Sequence, residues 1–372
     1  VNDMEKQYRV AIIGRTGHGD YGHDLDLAWR EIHDADVVAV ADDNPAGLAA
    51  AAKRLGADKT FLDYRKMLDA VKPQIVSICQ RWLDQHRAMC IAAAERGIHI
   101  YIEKPLCRTL AEADEIVAAC ERTHTKLAVA FPTRYSPTLK TVKDLIAGNK
   151  IGRVLEYRGR GKEDRRGGGE DLWVLGSHVM DMIRAIGGAP MWCYASVTQN
   201  GKPITARDVV DGNEGIGPLA GDAVHAMYGM PDGAIGYFAS VKNAGGSASR
   251  YGLQIYGSRG IIELVEGTMP AVKYLADASW SPGRSGARWQ DVSSAGIDQP
   301  EPLSGAEYRA RHTLAIRDLI AAIEHPERQP LSSVYEARDG MEMIVAAFES
   351  QRVGGPVALP LENRGNPLMT LR

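Results

Sequence analysis

Val10-Ala11-Ile12-Ile13-Gly14 decides the fold: an unbroken apolar run followed at once by glycine. A run this short and this apolar reads as a strand buried on both faces, and the glycine lets the backbone turn sharply at the strand's carboxyl end. Outward from it, strands and helices alternate through the first third of the chain. The pattern predicts a helix over 25–32, a strand over 35–41, helices over 46–55 and 64–71, and a strand over 75–79. A helix over 86–96 stopped by Gly97, a strand over 98–102, a helix over 109–123 and a strand over 126–131 follow. Thr109-Leu110-Ala111-Glu112 has the spacing of a capping box. Such alternation implies a doubly wound parallel sheet with right-handed crossovers.

The texture changes after about residue 132. A helix over 137–147 leads into strands over 154–159, 192–198, 221–230, 234–241, 253–257 and 260–265, with turn signals such as Pro231-Asp232-Gly233 between them. Hairpin spacing of this kind predicts a large, mostly antiparallel open sheet. Helices are expected over 177–186, 307–323 and 334–351, and residues 277–304, rich in Ser, Gly and Pro, read as a long loop. The fold class is therefore α/β: a Rossmann domain over 1–131, then an α+β domain over 132–372 for substrate binding and oligomerisation.

At 372 residues the chain is about twice the size of a typical domain. A net charge of −3 without a long Lys/Arg run points away from nucleic acid and anionic membranes, and no apolar run approaches the length of a membrane span. The first residues, Val1 to Gln7, are polar and do not form a signal peptide as they stand. The five cysteines, Cys79, Cys90, Cys107, Cys120 and Cys193, are odd in number and lack metal spacing. They read as the reduced thiols of a cytoplasmic protein without a metal site. Cys107 has no histidine nearby in sequence to activate it as a nucleophile.

Glycines 14, 17, 19 and 22 follow the first strand. Gly17-His18-Gly19-Asp20-Tyr21-Gly22 is a literal G-x-G-x-x-G, but a dinucleotide turn places its first glycine directly after the strand, as Gly14 is placed. We therefore read 14–22 as a widened loop. Gly14, Arg15, Thr16 and Gly22, together with the next helix N-terminus, would hold the phosphates. Asp42 ends the second strand about twenty residues beyond the loop, where a carboxylate accepts ribose hydroxyls. Asp43 follows it, and two carboxylates repel a 2′-phosphate, which favours NAD over NADP.

A second stretch, Tyr101-Ile102-Glu103-Lys104-Pro105-Leu106, puts an ammonium at the end of a later strand, the edge where open α/β sheets gather ligands. With Glu103-Lys104-Pro105 in place, the chain resembles the Gfo/Idh/MocA family of NAD(P)-dependent sugar and polyol oxidoreductases. The resemblance continues through Arg134-Tyr135-Ser136-Pro137, Ile151-Gly152-Arg153-Val154, Gly176-Ser177-His178-Val179-Met180-Asp181 and Gly354-Gly355-Pro356-Val357-Ala358-Leu359-Pro360, nearly the whole chain.

The resemblance implies NAD as cofactor, a small carbohydrate or polyol as substrate, and a homodimer or homotetramer formed through the C-terminal sheet. It implies that Lys104 contacts nicotinamide and the reacting hydroxyl, that His178 transfers the proton, and that His86 lies near the cofactor with Glu103, Arg81 and Trp82. Trp82 either covers the nicotinamide or sugar, or packs beneath its loop. Arg134, Tyr135, Lys162, Glu163, Asp171 and Asp181 are the substrate-binding candidates. Asp181 lies one helical turn from His178 and would orient the imidazole or simply end a helix. One departure stands out: the family often has Asp four residues before the histidine, and here that position is Val174, so that Asp171 or Glu170 would have to approach from another direction, or His178 and Lys104 would share the proton work. The expected chemistry is hydride transfer from a secondary alcohol, with Lys104 steadying the alkoxide and His178 as base. A redox-assisted glycosidase or lyase of the same fold, and a non-enzymatic NAD-binding sensor, are the alternatives.

Overall fold

The computed structural model describes residues 8–246, 249–266, 270–303 and 308–371. The polar segment 1–7 and residue 307, the expected start of a helix, lie outside the described residues. The chain divides into two compact units. The first is Val1–Pro132 with Glu214–Ile216 and Glu307–Arg338; the second is Thr133–Asn213, Gly217–Ala306 and Asp339–Arg372.

The first unit is built from β1 (Tyr8–Ile13), β2 (Ala35–Ala41), α1 (Pro45–Leu55), β3 (Lys59–Phe61), α2 (Tyr64–Val71), β4 (Ile75–Ile78), α3 (His86–Ala94), β5 (His99–Ile102), α4 (Leu110–Thr123) and β6 (Leu127–Val129). Its six strands run in the order β3-β2-β1-β4-β5-β6. All are parallel. Parallel strands covered on both faces need side chains that tolerate burial at every position, and β4 is buried throughout. The three-residue β3 is too short to leave a periodic signal.

The expected helix over 25–32 is absent. The structure has two 3-10 turns instead, Gly22–Asp24 and Leu27–Glu31. His23 and Asp24 take φ of 52° and 62°, which an α-helix does not admit. Apolar burial of Leu25, Ala28 and Trp29 is satisfied all the same, which is what the periodicity had registered.

The second unit contains α5 (Pro137–Ala147), β7 (Val154–Arg160), α6 (Gly169–Val174), α7 (Gly176–Gly187), β8 (Trp192–Gln199), β9 (Lys202–Pro203), β10 (Val210–Gly212), β11 (Gly217–Leu219), β12 (Ala223–Gly229), β13 (Ile235–Val241), β14 (Gly252–Gly257) and β15 (Gly260–Val265). β16 (Ala271–Leu275), α8 (Pro282–Ser285), β17 (Trp289–Ser293) and β18 (Gly296–Ile297) come next; the chain rejoins this unit at Asp339, within α10 (Val334–Val353), and ends with β19 (Val357–Ala358). Among the described residues an eleven-stranded sheet forms from β7–β9 and β12–β19, and only β7 and β13 in it pair in parallel. Residues 277–304 are not one loop: β17 and β18 extend the sheet beyond β16. The turn ahead of them is stapled by Asp277, which accepts from Ser279 Oγ and Ser285 Oγ at 2.7 Å each.

Burial alternates along the sheet. On β13, Gly236, Phe238 and Ser240 are buried while their neighbours are half-buried. The buried face meets α7, which lies close because Gly159 of β7 has no side chain: a Cβ there would come within 2.5 Å of Val179 Cγ1. Val179, Met180, Met182 and Ile183 are fully buried on α7. Each contributes roughly 1.5–3 kcal/mol by leaving water.

The expected cut at 131/132 differs from the compact units in one respect, because residues 307–338 return to the first unit. The helix responsible, α9 (Tyr308–Glu324), packs on the parallel sheet. Tyr101 Oη meets His312 Nδ1 at 2.7 Å, and Val129 N donates to Ser332 O at 2.9 Å. Among the described residues no helix is long and apolar enough to cross a membrane.

Candidate functional site

In the first unit, Gly14 follows β1 directly and donates its N–H to Ala41 O at 3.0 Å. Its missing side chain is required, but for a neighbour in the chain: a Cβ on Gly14 would lie 2.2 Å from Tyr21 Cζ. The widened loop thus folds back and lays the Tyr21 ring on Gly14. Tyr21 Oη then donates to Asp42 Oδ2 at 3.0 Å. Thr16 N and Thr16 Oγ1 also donate to Asp42, the hydroxyl at 2.7 Å, and Asn44 N donates to Oδ1 at 3.0 Å. A carboxylate has about four acceptor positions. Asp42, 1% exposed, therefore fastens the loop rather than standing open to a ribose, as its sequence position had suggested.

The exposed acid is Asp43. Arg15 Nε donates to it at 3.2 Å, and Arg15 Nη1 holds both oxygens of Asp84 at 3.0 Å. Beside them a cavity of about 290 Å³ opens at the carboxyl ends of β1 and β2, lined by Gly14, Asp43, Leu62, Tyr64 and Met89 among others. Leu62, Tyr64 and Met89 offer apolar surface to an adenine ring, while Arg15, Asp43 and Gln85 supply polar groups for a ribose, so the mixed lining fits an adenosine. The expected helix N-terminus for the phosphates is missing, since 3-10 turns replace that helix.

Lys104 follows β5 on the same sheet edge and is 6% exposed. Its neighbour Glu103 is 1% exposed and meets His23 Nδ1 at 3.0 Å. Burial pushes the Glu103 carboxyl up, but His23, Lys104 and His312 outweigh it and hold the group below the usual range. His86 is fully buried: Nδ1 faces Pro105 O at 3.0 Å, and Nε2 faces Gln80 O at 2.9 Å. It ties the loop after β4 to the loop after β5, so it shapes the Lys104 turn from beneath. Trp82 is half-buried and packs edge-on against His18 of the widened loop, ring centroids 4.9 Å apart. The Arg81 stem lies against Gly22.

The second unit holds the remaining candidates. Arg134 and Asp181 form a buried ion pair at 2.7 Å, and Tyr135 is buried beside Arg134 in sequence. Glu163 is 1% exposed; it accepts from Val241 N at 3.0 Å, Arg160 Nε at 3.1 Å and Arg250 Nη2 at 2.8 Å. Asp171, fully buried, accepts from Glu163 N at 2.9 Å and Ser240 Oγ at 2.5 Å, and burial pushes its carboxyl up. These two acids fasten the 160–171 segment to the sheet. Lys162 alone of that group points to solvent, 3.9 Å from Asp164.

His178 sits in the first turn of α7, where its N–H donates to Leu175 O at 3.1 Å. An acid stands near it after all. Glu266 Oε1 lies 4.0 Å from His178 Nδ1. Motif spacing could not reveal Glu266. Strand alternation could, because Ile262 and Leu264 are fully buried on the helix-facing side of β15 and residue 266 continues that parity.

Residues 8–131 match the family model of the oxidoreductase family with NAD-binding Rossmann fold, and residues 139–263 match that of the GFO/IDH/MocA C-terminal domain. The chain belongs to the Gfo/Idh/MocA family. Levoglucosan dehydrogenase of Pseudarthrobacter phenanthrenivorans is 30% identical over 248 residues, which cover 60% of this chain and 63% of that protein. D-apiose dehydrogenase of Paraburkholderia graminis is 29% identical over 55% of this chain and 56% of its own length. The match thus spans less than two thirds of either curated relative. A solved structure of levoglucosan dehydrogenase in complex with NADH is similar with a TM-score of 0.77 at 25% identity, covering 95% of this Gfo/Idh/MocA chain and 99% of the other.

Proposed function

We propose that this chain is an NAD-dependent oxidoreductase that moves a hydride between nicotinamide and a secondary hydroxyl of a sugar, polyol or glycoside. Lys104 carries the reading: an almost fully buried ammonium on the sheet edge that also bears Gly14 and the adenosine-sized cavity. Lysine is seldom this buried, and here it stands next to the buried Glu103 carboxylate; buried charged groups of this kind gather at functional sites. NAD, when bound, supplies the hydride acceptor. Lys104 as ammonium steadies the alkoxide, and His178 takes the hydroxyl proton. The first-unit residues that would hold the cofactor are Gly14, Arg15, Thr16 and Asp43. The dehydrogenases of levoglucosan and D-apiose among its relatives support a carbohydrate substrate.

Purified protein incubated with NAD and levoglucosan, D-apiose, myo-inositol, D-glucose and methyl glucosides, with NADH and products both followed, tests this. Net NADH is expected. Val174 in place of the usual acid favours the redox-assisted lyase or glycosidase as second reading, and bond cleavage without net NADH would establish it.

We further infer a cytoplasmic homodimer or homotetramer. All five cysteines are buried and none is in a disulfide, which suits a reducing compartment. The half-buried parity of the sheet forms a face that includes Tyr194, 49% exposed, and a groove of about 700 Å³ lined by Arg158, Tyr237 and Gln254 among others. A second copy would cover it. Light scattering that shows only monomer at micromolar concentration would count against this.

A further inference from the structure

We infer that Glu266 is the positioning residue for His178, taking over from the sheet the task that an acid at residue 174 would perform from the helix. This rests on His178 being the proton-transfer residue proposed above.

Three independent features aim Glu266 at His178. The first is distance: Oε1 lies 4.0 Å from Nδ1, with the two side chains 8% and 12% exposed. Contacts between an acid and its base are commonly long before substrate binds and tighten afterwards. The second is orientation of the carboxylate, since Thr133 Oγ1 lies 2.8 Å from both Oε1 and Oε2 and shares its one proton between them. The third is a tie between the two backbones. Glu266 N donates to Tyr251 O at 2.7 Å, and Tyr251 Oη donates to Leu175 O at 2.8 Å. Leu175 O in turn accepts from His178 N. One tyrosine therefore sets the acid's backbone and the helix start that carries the imidazole.

The chemistry follows from the tautomer. A carboxylate accepts and does not donate, so facing Nδ1 it favours the proton there and leaves the lone pair on Nε2. Nε2 is then the atom that takes the proton of a substrate hydroxyl, and the imidazolium formed is stabilised by the negative charge beside it. The other charged groups of these elements are already engaged: Asp181 on α7 pairs with Arg134 from the segment before α5, Arg184 on α7 pairs with Asp339, and Glu263, on the other parity of β15, accepts from Gln254 Nε2. A valine at 174 supplies none of this. The carboxylate arrives instead from the end of β15.

Histidine-selective ¹⁵N spectra of wild type, Glu266→Gln and Thr133→Val, with His178 assigned from the signal lost in His178→Gln, provide the test without substrate or cofactor. Wild type should show neutral His178 protonated at Nδ1. In Glu266→Gln the midpoint of its titration should fall by about one pH unit, as expected when an opposite charge at this range is removed. Thr133→Val should produce a smaller change in the same direction, because the acid stays but loses its aim. An unchanged tautomer and midpoint in a folded Glu266→Gln protein overturns the inference. Turnover separates the two levels. With a substrate found in the panel above, Glu266→Gln should lower kcat at least about tenfold and move the acid limb of the pH profile downward. If His178→Ala keeps full turnover, the base assignment itself fails. If His178→Ala is inactive while Glu266→Gln keeps the wild-type profile, Glu266 alone is wrong.

Discussion

Arg134 Nε donates to Asp181 Oδ1 at 2.8 Å, and its Nη2 reaches the backbone carbonyl of the same residue at 3.1 Å. The side chains are 7% and 4% exposed, so this pair is part of the interior of the second unit rather than a pair of open substrate ligands. It anchors the segment before α5 to the middle of α7, one turn beyond His178.

Removing one partner of a buried pair leaves a charge without compensation. Asp181→Ala should cost about 3–5 kcal/mol, whereas Arg134→Met with Asp181→Leu should recover most of that loss. Urea denaturation of the three proteins checks it. A stability unchanged in Asp181→Ala, with KM raised instead, would return Asp181 to the substrate.

Gly14→Ala should displace Tyr21, because the new methyl would occupy the place of the phenol ring. The bond from Tyr21 to Asp42 would break, and NAD affinity and thermal midpoint should fall together. Tyr21→Phe, which loses only that hydrogen bond, should cost about 1 kcal/mol. Equal behaviour of the two variants would show that the ring does not lie on the glycine in solution.

Cofactor discrimination should follow Asp43 and not Asp42. Asp43→Ser frees Arg15 from one of its two carboxylates and should narrow the preference for NAD over NADP by about tenfold or more. Asp42→Asn should weaken both cofactors alike, since Asp42 shapes the loop that either would use. Fluorescence titration with NADH and NADPH decides between the two acids.

Lys104→Ala and His178→Ala should each lower turnover by roughly 10²–10⁴-fold while NAD binding stays largely intact. Steady-state rates beside cofactor titrations check this. A histidine variant at near-normal turnover would reduce His178 to a helix-start residue.

His99 should give stability a pH dependence. Burial, with Lys126 adding to it, holds this imidazole at about 4. The unfolded value is near 6.5, so as pH falls the unfolded chain takes up the proton first. The contribution is complete above about 6.5 and is lost progressively as pH drops toward 4, on the order of 3 kcal/mol in all. Urea midpoints at pH 7 and 4.5 should differ less in His99→Gln than in wild type.

The sequence alone determined that the first unit is a parallel, doubly wound sheet, because the apolar stretches within β1, β2, β4 and β5 alternate with helices, whereas the order in which the strands pair was set by tertiary contacts. It determined the antiparallel character of the second sheet through its alternating strands and hairpin turns, and it singled out Lys104 and His178 by local motif. It misread 25–32 because burial of Leu25, Ala28 and Trp29 has the period of a helix whether or not the backbone between them is helical. Only the tertiary structure decided what each acid does. Asp42, Glu163, Asp171 and Asp181 look alike in sequence as candidates for ligands, yet each is consumed by donors that come from distant residues: Tyr21, Arg250, Ser240 and Arg134. Glu266 carries no motif and lies eighty-eight positions from His178 in the numbering, yet packing brings it to 4.0 Å. A side chain's chemistry is local, but whether its charge is spent or kept for a substrate depends on which partners the fold delivers to it, and spacing along the chain does not record those partners.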